Sequence, residues 1–239
     1  MRKAFVCRAE SFFGGLIVKG GIFDMKQSFI LFDLDGTLTD SGEGIMNSAA
    51  YALRRLGMTQ ENPTSLRRFV GPPLKHSFME FYGMEDAKAE QAIALYREYY
   101  TERGIRENRV YDGVEAMLAR CVRSGKTLAL ATSKPTVFAQ QILDDFGLSP
   151  YFSIVCGSNL DGTRVIKAEI IAQVLCDAKV EAGGAVMVGD RKHDVIGAKE
   201  CGVFSVGVTY GYGSREELLE YGADAIVDRP EELAGLLCS

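Results

Sequence analysis

Short apolar runs alternate with helical patterns along most of this chain. Residues 29–34 read FILFDL, the kind of continuous apolar stretch that is buried on both faces of a parallel sheet. Similar runs recur at 127–131, 154–156, 185–188 and Phe204–Val208, and Ala225–Val227 adds a last short one. Between them, Val114, Leu118, Cys121 and Val122 mark one face of a helix over 114–124, with Asp112 as its cap and Gly125 as its stop. Pro135 suits the first position of a helix ending near Phe146 and Gly147. Ile170, Ile171, Val174 and Leu175 mark another. Strand–helix alternation of this kind predicts an α/β fold, a doubly wound parallel sheet.

One stretch departs from the alternation. Residues 40–111 hold no strand-like run, whereas Ile45, Ala49, Leu53 and Leu56 recur at helical spacing and residues 85–103 are helical in composition. A helical domain inserted after the first strand is expected. The core is then assigned to residues 25–39 and 112–239, and the insert to 40–111. Residues 1–24 are read as an N-terminal extension, with Met25, directly before the first strand, as the natural start; a short appendage that packs on the domain is the alternative. The apolar run at 11–23 carries Lys19 and is too short to span a membrane, and no signal-peptide cleavage site follows it.

Charge narrows the possible partners. The chain has 239 residues, 27 basic and 32 acidic side chains, a net charge of −5 and 47% apolar residues. No basic stripe stands out, so nucleic acid polymers and membrane surfaces are not expected partners. An acidic protein that handles phosphates must concentrate its positive charge locally, in a metal ion or a few placed lysines. The six cysteines show no CxxC pair and the two histidines are too few for a histidine metal site. Reduced thiols in a cytoplasmic protein are the expected state.

In an open α/β sheet, ligands bind beyond the carboxyl ends of the strands, so the residues that follow each apolar run carry the candidate chemistry. Asp33-Leu34-Asp35-Gly36-Thr37 follows the first. Residues two apart on an extended chain point the same way, so Asp33 and Asp35 can face one pocket, where a cation or a shared proton must relieve their repulsion. One carboxylate can be a nucleophile while the other serves as general acid and base. Thr132 and Ser133 follow the second run and offer hydroxyls and backbone N–H groups to an anion. Lys167 opens a helix, an unfavourable place for a cation unless an anion faces it. Asp190 and Asp194 lie four apart in GDRKHD and share a face if the segment is helical; hard carboxylate oxygens suit Mg²⁺. His193 is read as a surface or packing residue, not a ligand. Each signal alone has an ordinary structural reading: a capping turn, a Ser/Thr N-cap before proline, a solvated lysine, a capping aspartate. Together they fall at successive strand ends.

These four segments resemble the signature motifs of the haloacid dehalogenase superfamily, in order and spacing, over Met25 to the C-terminus. The helical insert lies where that superfamily places its small helical cap. The resemblance implies a Mg²⁺-dependent phosphomonoester hydrolase. Asp33 would be the nucleophile that becomes an aspartyl phosphate, and Asp35 the acid and base. Thr132, Ser133 and Lys167 would hold the phosphoryl oxygens. The metal would be held by Asp33, the backbone carbonyl of Asp35 and Asp190, with Asp194 in an outer position. A small-molecule phosphomonoester is the implied substrate and a monomer or homodimer the implied assembly. Asp35 is the acid that dehalogenase and phosphonate-cleaving relatives lack. The β-phosphoglucomutase type carries a histidine ten residues later, where this chain has Ile45, so sugar phosphomutase ranks behind phosphatase. Segments 157–164 and 208–218 are similar to a 5′-nucleotidase-like subgroup, so nucleoside monophosphates or a broad range of small phosphomonoesters rank first, with phosphoglycolate phosphatase as the alternative. Substrate selectivity is expected from a loop bearing Gly71, Pro72 and Lys75, with Arg67 and His76 nearby. A non-catalytic phosphate-sensing or regulatory protein on the same fold is the alternative of another class.

Overall fold

The computed structural model describes residues 10–13, 16–19, 26–58 and 63–238. In chain order its strands and α-helices are β1 (Glu10–Phe13), β2 (Leu16–Lys19), β3 (Phe29–Phe32), β4 (Thr39–Asp40), α1 (Gly42–Arg55), α2 (Leu74–Tyr82), α3 (Asp86–Glu102), β5 (Arg109–Val110), α4 (Val114–Arg123), β6 (Thr127–Pro135), α5 (Thr136–Asp145), β7 (Phe152–Ser158), α6 (Lys167–Ala178), β8 (Ala185–Gly189), α7 (Lys192–Glu200), β9 (Phe204–Val208), α8 (Arg215–Glu220), β10 (Ala225–Val227) and α9 (Pro230–Leu237).

The strands β10-β9-β8-β3-β6-β7 form a parallel sheet in that order. Side chains of a strand alternate between faces, and both faces here are apolar. Ile30, Phe32, Leu130, Val186 and Val188 pack on one side with α4, α5 and α9, while Leu31, Ala129, Ala131 and Met187 pack on the other with Ile170, Ile171 and Val174 of α6. That two-sided burial is why the runs read as continuously apolar. The chain passes from β3 to β6 and β7 on one side, then returns to β8, β9 and β10 on the other, so order reverses between β3 and β8. Such a switch point opens a crevice at the carboxyl edge.

The insert is helical, as its pattern implies. Ile45, Ala49, Ala52 and Leu53 of α1 are buried with Ala92, Ile93, Tyr96 and Tyr100 of α3, and Phe69 stacks edge-on against Phe78 of α2 at 5.0 Å. It also contains the two-residue strands β4 and β5, which pair antiparallel where the insert leaves and rejoins the core. Strands that short carry no readable periodicity.

Three local assignments differ from the sequence reading. The N-cap of α4 is Gly113 in the left-handed conformation (φ +85°), not Asp112. The buried face of α4 is Val114, Met117, Leu118 and Cys121, and Val122 is exposed, because the i, i+3, i+4, i+7 stripe excludes i+8 at this crossing. Pro135 is the N-cap of α5 and the last residue of β6, one step earlier than expected.

Two strands from residues 1–24 also join the sheet. β2 pairs antiparallel with β1 and with Ala225 and Ile226 of β10, extending the sheet at the edge farthest from β7. β10 is separated from β3 by β9 and β8, so this hairpin stands well away from the switch point. A chain beginning at Met25 is therefore expected to fold and to keep the activity of the full chain, as measured by Tm and kcat/KM. A large loss of either would show that the hairpin belongs to the catalytic unit.

Candidate active site

β3 ends at Phe32, and Asp33 follows with its backbone N–H donated to Val188 O of β8 at 2.9 Å. Asp33 thus stands at the switch point. Its Oδ1 lies 2.9 Å from Lys167 Nζ, and the same ammonium lies 2.8 Å from Asp194 Oδ1 and donates to Ala131 O at 3.0 Å. Lys167 is the first residue of α6, and its place at a helix start is explained by these two anions. Asp190 follows β8. Oxygens of Asp33, Asp190 and Asp194 lie within 4.8 Å of one another, all three residues buried.

Backbone geometry makes room for this cluster. Gly36 has φ +85°, and a Cβ there would lie 2.2 Å from Asp190 Oδ2. Any side chain at position 36 would displace that carboxylate. Gly211 is equally tight, with Gly36 O 2.2 Å from an added Cβ.

Three carboxylates face one ammonium here, and the local charge is negative. Burial pushes Asp33 up to about 6 against the opposing pull of Lys167. Burial, with the charges of Asp194 and Asp33, holds Asp190 well above the usual carboxylate range. Lys167 stays charged, because Asp194 and Asp33 outweigh the burial that opposes it. Asp190 Oδ2 accepts the Tyr212 N–H at 2.7 Å, but its Oδ1 is buried with no hydrogen-bond partner. A bare buried carboxylate oxygen is costly unless a cation faces it. The oxygens of Asp194 are committed, Oδ1 to Lys167 and Oδ2 to the Arg191 N–H at 3.1 Å. The donor set is all hard oxygen with excess negative charge, and it fits Mg²⁺.

Asp35 is held separately. Lys134 Nζ donates to its Oδ2 at 2.6 Å and Oδ1 at 2.8 Å, and Ser41 Oγ donates to Oδ1 at 2.6 Å. Lys134 is buried, and Asp35 raises its pKa more than burial lowers it. The two aspartates of the motif therefore have different cations. Thr132 is buried, its Oγ1 accepting the Lys134 N–H at 3.3 Å. Ser133 lines the cavity above Asp35, and its carbonyl accepts from Ser158 Oγ.

The sequence reading did not assign Lys134 a role. The available signal was the two-residue rule already applied to Asp33 and Asp35: Lys134 is two residues beyond Thr132 in the same strand. It also left Tyr212 without a role. The Tyr212 hydroxyl donates to Asp40 Oδ1 at 2.5 Å and accepts the Gly42 N–H at 2.6 Å, so one residue touches both Asp190 and the base of the insert.

The selectivity residues proposed from sequence are dispersed. Gly71 and Pro72 line a cavity of about 70 Å³ above Asp35, with Tyr96, Tyr100, Lys134 and Phe138. Arg191 secures that loop, donating from Nη1 to Val70 O at 2.6 Å. Lys75 lies on the rim of a second cleft of about 550 Å³ between the insert and the core. Its ammonium is taken by Asp86 at 2.8 Å and Glu90 at 2.9 Å. His76 pairs with Glu80. Arg67 lies over the Tyr212 ring, 5.5 Å from its centroid, at a cavity on the hinge side. His193 is neutral near pH 7: burial and the charges of Arg191 and Lys192 push it down to about 4, which agrees with a packing role.

Comparison with known proteins adds an independent line. Residues 30–208 match the model of the haloacid dehalogenase-like hydrolase family. A 5′-nucleotidase of Pseudomonas aeruginosa is 47% identical over 194 residues, 81% of this chain and 88% of that protein. The tyrosine-protein kinase PtkA of Mycobacterium tuberculosis is 38% identical over 84% of this chain and 68% of its own. The crystal structure of a predicted phosphatase from Clostridium acetobutylicum superposes with a TM-score of 0.86 at 47% identity, covering 87% of this chain and 97% of that one. Fold, strand-end carboxylates and these likenesses agree, and the chain belongs to the haloacid dehalogenase-like hydrolase family.

Proposed function

We propose that this protein is a Mg²⁺-dependent phosphomonoester hydrolase working through an aspartyl phosphate on Asp33. The observation that carries this reading is the division of labour between the two aspartates. Asp33 shares Lys167 with the Asp190–Asp194 cluster, while Asp35 is held apart by Lys134 beneath the insert. Asp33 Oδ attacks phosphorus as the bond to the ester oxygen breaks, and Asp35, entering this step as the carboxylic acid, delivers its proton to that oxygen so that an alcohol leaves, and becomes the carboxylate that Lys134 and Ser41 hold. Water then attacks the phosphoryl group, Asp35 takes its proton, and the bond to Asp33 breaks to release inorganic phosphate. Lys167, Thr132 and Ser133 hold the phosphoryl oxygens. Asp33, the Asp35 carbonyl and Asp190 would hold Mg²⁺, with Asp194 outside them. When bound, the ion supplies charge neutralisation, the main need of phosphoryl transfer.

Nucleoside monophosphates are the preferred substrate class. The 5′-nucleotidase relative supports this, as does the apolar cleft of about 550 Å³ that adjoins Lys167 and Ser133. A second reading, a small substrate such as phosphoglycolate, draws on the cavity of about 70 Å³ above Asp35, which by itself admits only a small leaving group. The residue set weighs against a purely regulatory role, since nothing in it is substituted. No helix among the described residues is long and apolar enough to cross a membrane.

The test is hydrolysis of p-nitrophenyl phosphate with Mg²⁺ and after chelation. Expected is turnover with the metal and loss of at least about 100-fold without it, in line with the weight of charge stabilisation in such sites. Undiminished activity after thorough chelation would remove the metal from the reading. Absence of activity on a broad panel of phosphomonoesters with Mg²⁺ would leave the regulatory alternative standing.

A further inference from the structure

The two cavities at the boundary between insert and core are neighbours. Both are lined by Pro73, Leu74, Arg97, Ser133 and Pro135. Arg97 is the charged residue among them. It projects from α3 of the insert, and its Nη2 donates to Leu160 O of the core at 2.9 Å. No carboxylate pairs with Arg97 among the described residues. A guanidinium has five N–H donors, and a single backbone carbonyl leaves most of them free at the junction.

The character of the surface changes along this path. Next to Asp35 the small cavity is polar at its base, with Lys134 and Ser133. Beyond Arg97 the wide cleft is mainly apolar, with Met79, Ile93, Leu160 and Ile166. Met79, Leu160 and Ile166 are three of the six large apolar side chains exposed among the described residues, so half of that exposed set gathers at one cleft. A gathering of that kind marks a binding surface. Asp161 and Glu200 also border the cleft, and its rim lysine, Lys75, is already paired with Asp86 and Glu90, which disfavours a second anionic group there.

We infer that Arg97 is the specificity residue that reads the sugar of a nucleoside monophosphate, with the base lying in the apolar cleft. This rests on the phosphatase reading and deepens it. From the phosphoryl site outward the protein offers cations, then a guanidinium with N–H groups to spare, then an apolar wall flanked by carboxylates. A nucleoside monophosphate offers the matching sequence: an anionic phosphate, hydroxyl acceptors on the ribose, and an uncharged flat base. Glycolate would leave the apolar wall uncovered, and a bisphosphate would set its second charge among the carboxylates.

The experiment compares adenosine 5′-monophosphate with p-nitrophenyl phosphate, which has an aromatic group but no sugar, in Arg97→Met and Arg97→Lys. Methionine keeps the packing of the stem and lysine keeps the charge. In Arg97→Met the kcat/KM ratio of nucleotide to nitrophenyl substrate should fall about tenfold or more, mostly through KM, the size expected for hydrogen bonds to a charged group. Arg97→Lys should lie between it and the wild type. Adenosine, as a competitive inhibitor of nitrophenyl phosphate hydrolysis, should weaken by a similar factor in Arg97→Met. Equal losses on the two substrates, a ratio shift below about threefold, or unchanged inhibition by adenosine would overturn the assignment. Wild-type protein that hydrolyses nitrophenyl phosphate but not the nucleotide would overturn it while leaving the phosphatase reading intact. Wild-type protein that hydrolyses neither would overturn both.

Discussion

Asp33→Asn is expected to lower turnover by on the order of 10⁴-fold or more, the scale of loss seen when a catalytic nucleophile is removed. An amide oxygen cannot form the acyl phosphate, and the change also removes a negative charge from the carboxylate cluster. The fold should survive, because Lys167 keeps Asp194 as a partner at 2.8 Å and the backbone N–H of residue 33 keeps its bond to Val188 O. Comparable Tm values with lost activity would establish a chemical effect. Acid quench of the wild type during turnover of labelled substrate should leave the label on Asp33. Labelling of any other residue, or residual activity within tenfold of wild type, would sink the assignment.

The second large effect belongs to Asp35→Asn, and its size should depend on the substrate. General acid–base help is worth about 10²–10⁴-fold, so an alkyl phosphate such as a nucleotide should lose that much. p-Nitrophenol is a good leaving group and needs little protonation, so formation of the phosphoenzyme should suffer less than its hydrolysis. Aspartyl phosphate should then accumulate and be trappable by acid. The structure adds a complication. Asp35 neutralises Lys134, which is buried with it, and a buried charge that loses its partner costs about 3–5 kcal/mol. Asparagine keeps an oxygen for Lys134 and Ser41, which limits that cost. If the variant is too unstable to assay, Asp35→Asn with Lys134→Met removes both buried charges and tests the same chemistry. Wild-type rates on an alkyl phosphate in either variant would exclude Asp35 as the proton carrier.

The parallel sheet was legible because both of its faces are covered. Phe29, Ile30, Leu31 and Phe32 are all buried, so the strand needed no alternation to be recognised. The polar residues that end each run were legible for the same reason: Asp33, Thr132 and Asp190 interrupt apolar stretches abruptly. Lys167 stood out through an electrostatic conflict at a helix start, which Asp33 and Asp194 resolve. What escaped the sequence depends on distant partners. Lys134 meets Asp35 across 99 positions, and Tyr212 reaches Asp190 through a backbone N–H, a group every residue but proline possesses. Met117 displaced Val122 on α4 because the helix crossing, not the apolar count, sets which stripe is buried. The ribbon of β4 and β5 is two residues deep, below any periodic signal.

Strand order has a consequence for how the molecule is made. β3 is paired with β6 and β8, and Phe29 aligns with Thr127 and Ala185. These partners lie 98 (127 − 29) and 156 (185 − 29) positions downstream. Helices α1 and α3 meet across a shorter separation, 47 positions for Tyr51 and Glu98, so their loop-closure cost is smaller, whereas the sheet must close longer loops before its contacts reward it. The helical insert is therefore expected to gain protection first in pulsed hydrogen exchange during refolding, with β3 amides protected together with those of β6 and β8. Simultaneous protection of insert and β3 would contradict this order. A chain emerging from the ribosome would have only β6, Ser41 and Lys134 to hold its first aspartate pair until residue 190 had been synthesised, so the acidic pocket is completed late, by the arrival of β8.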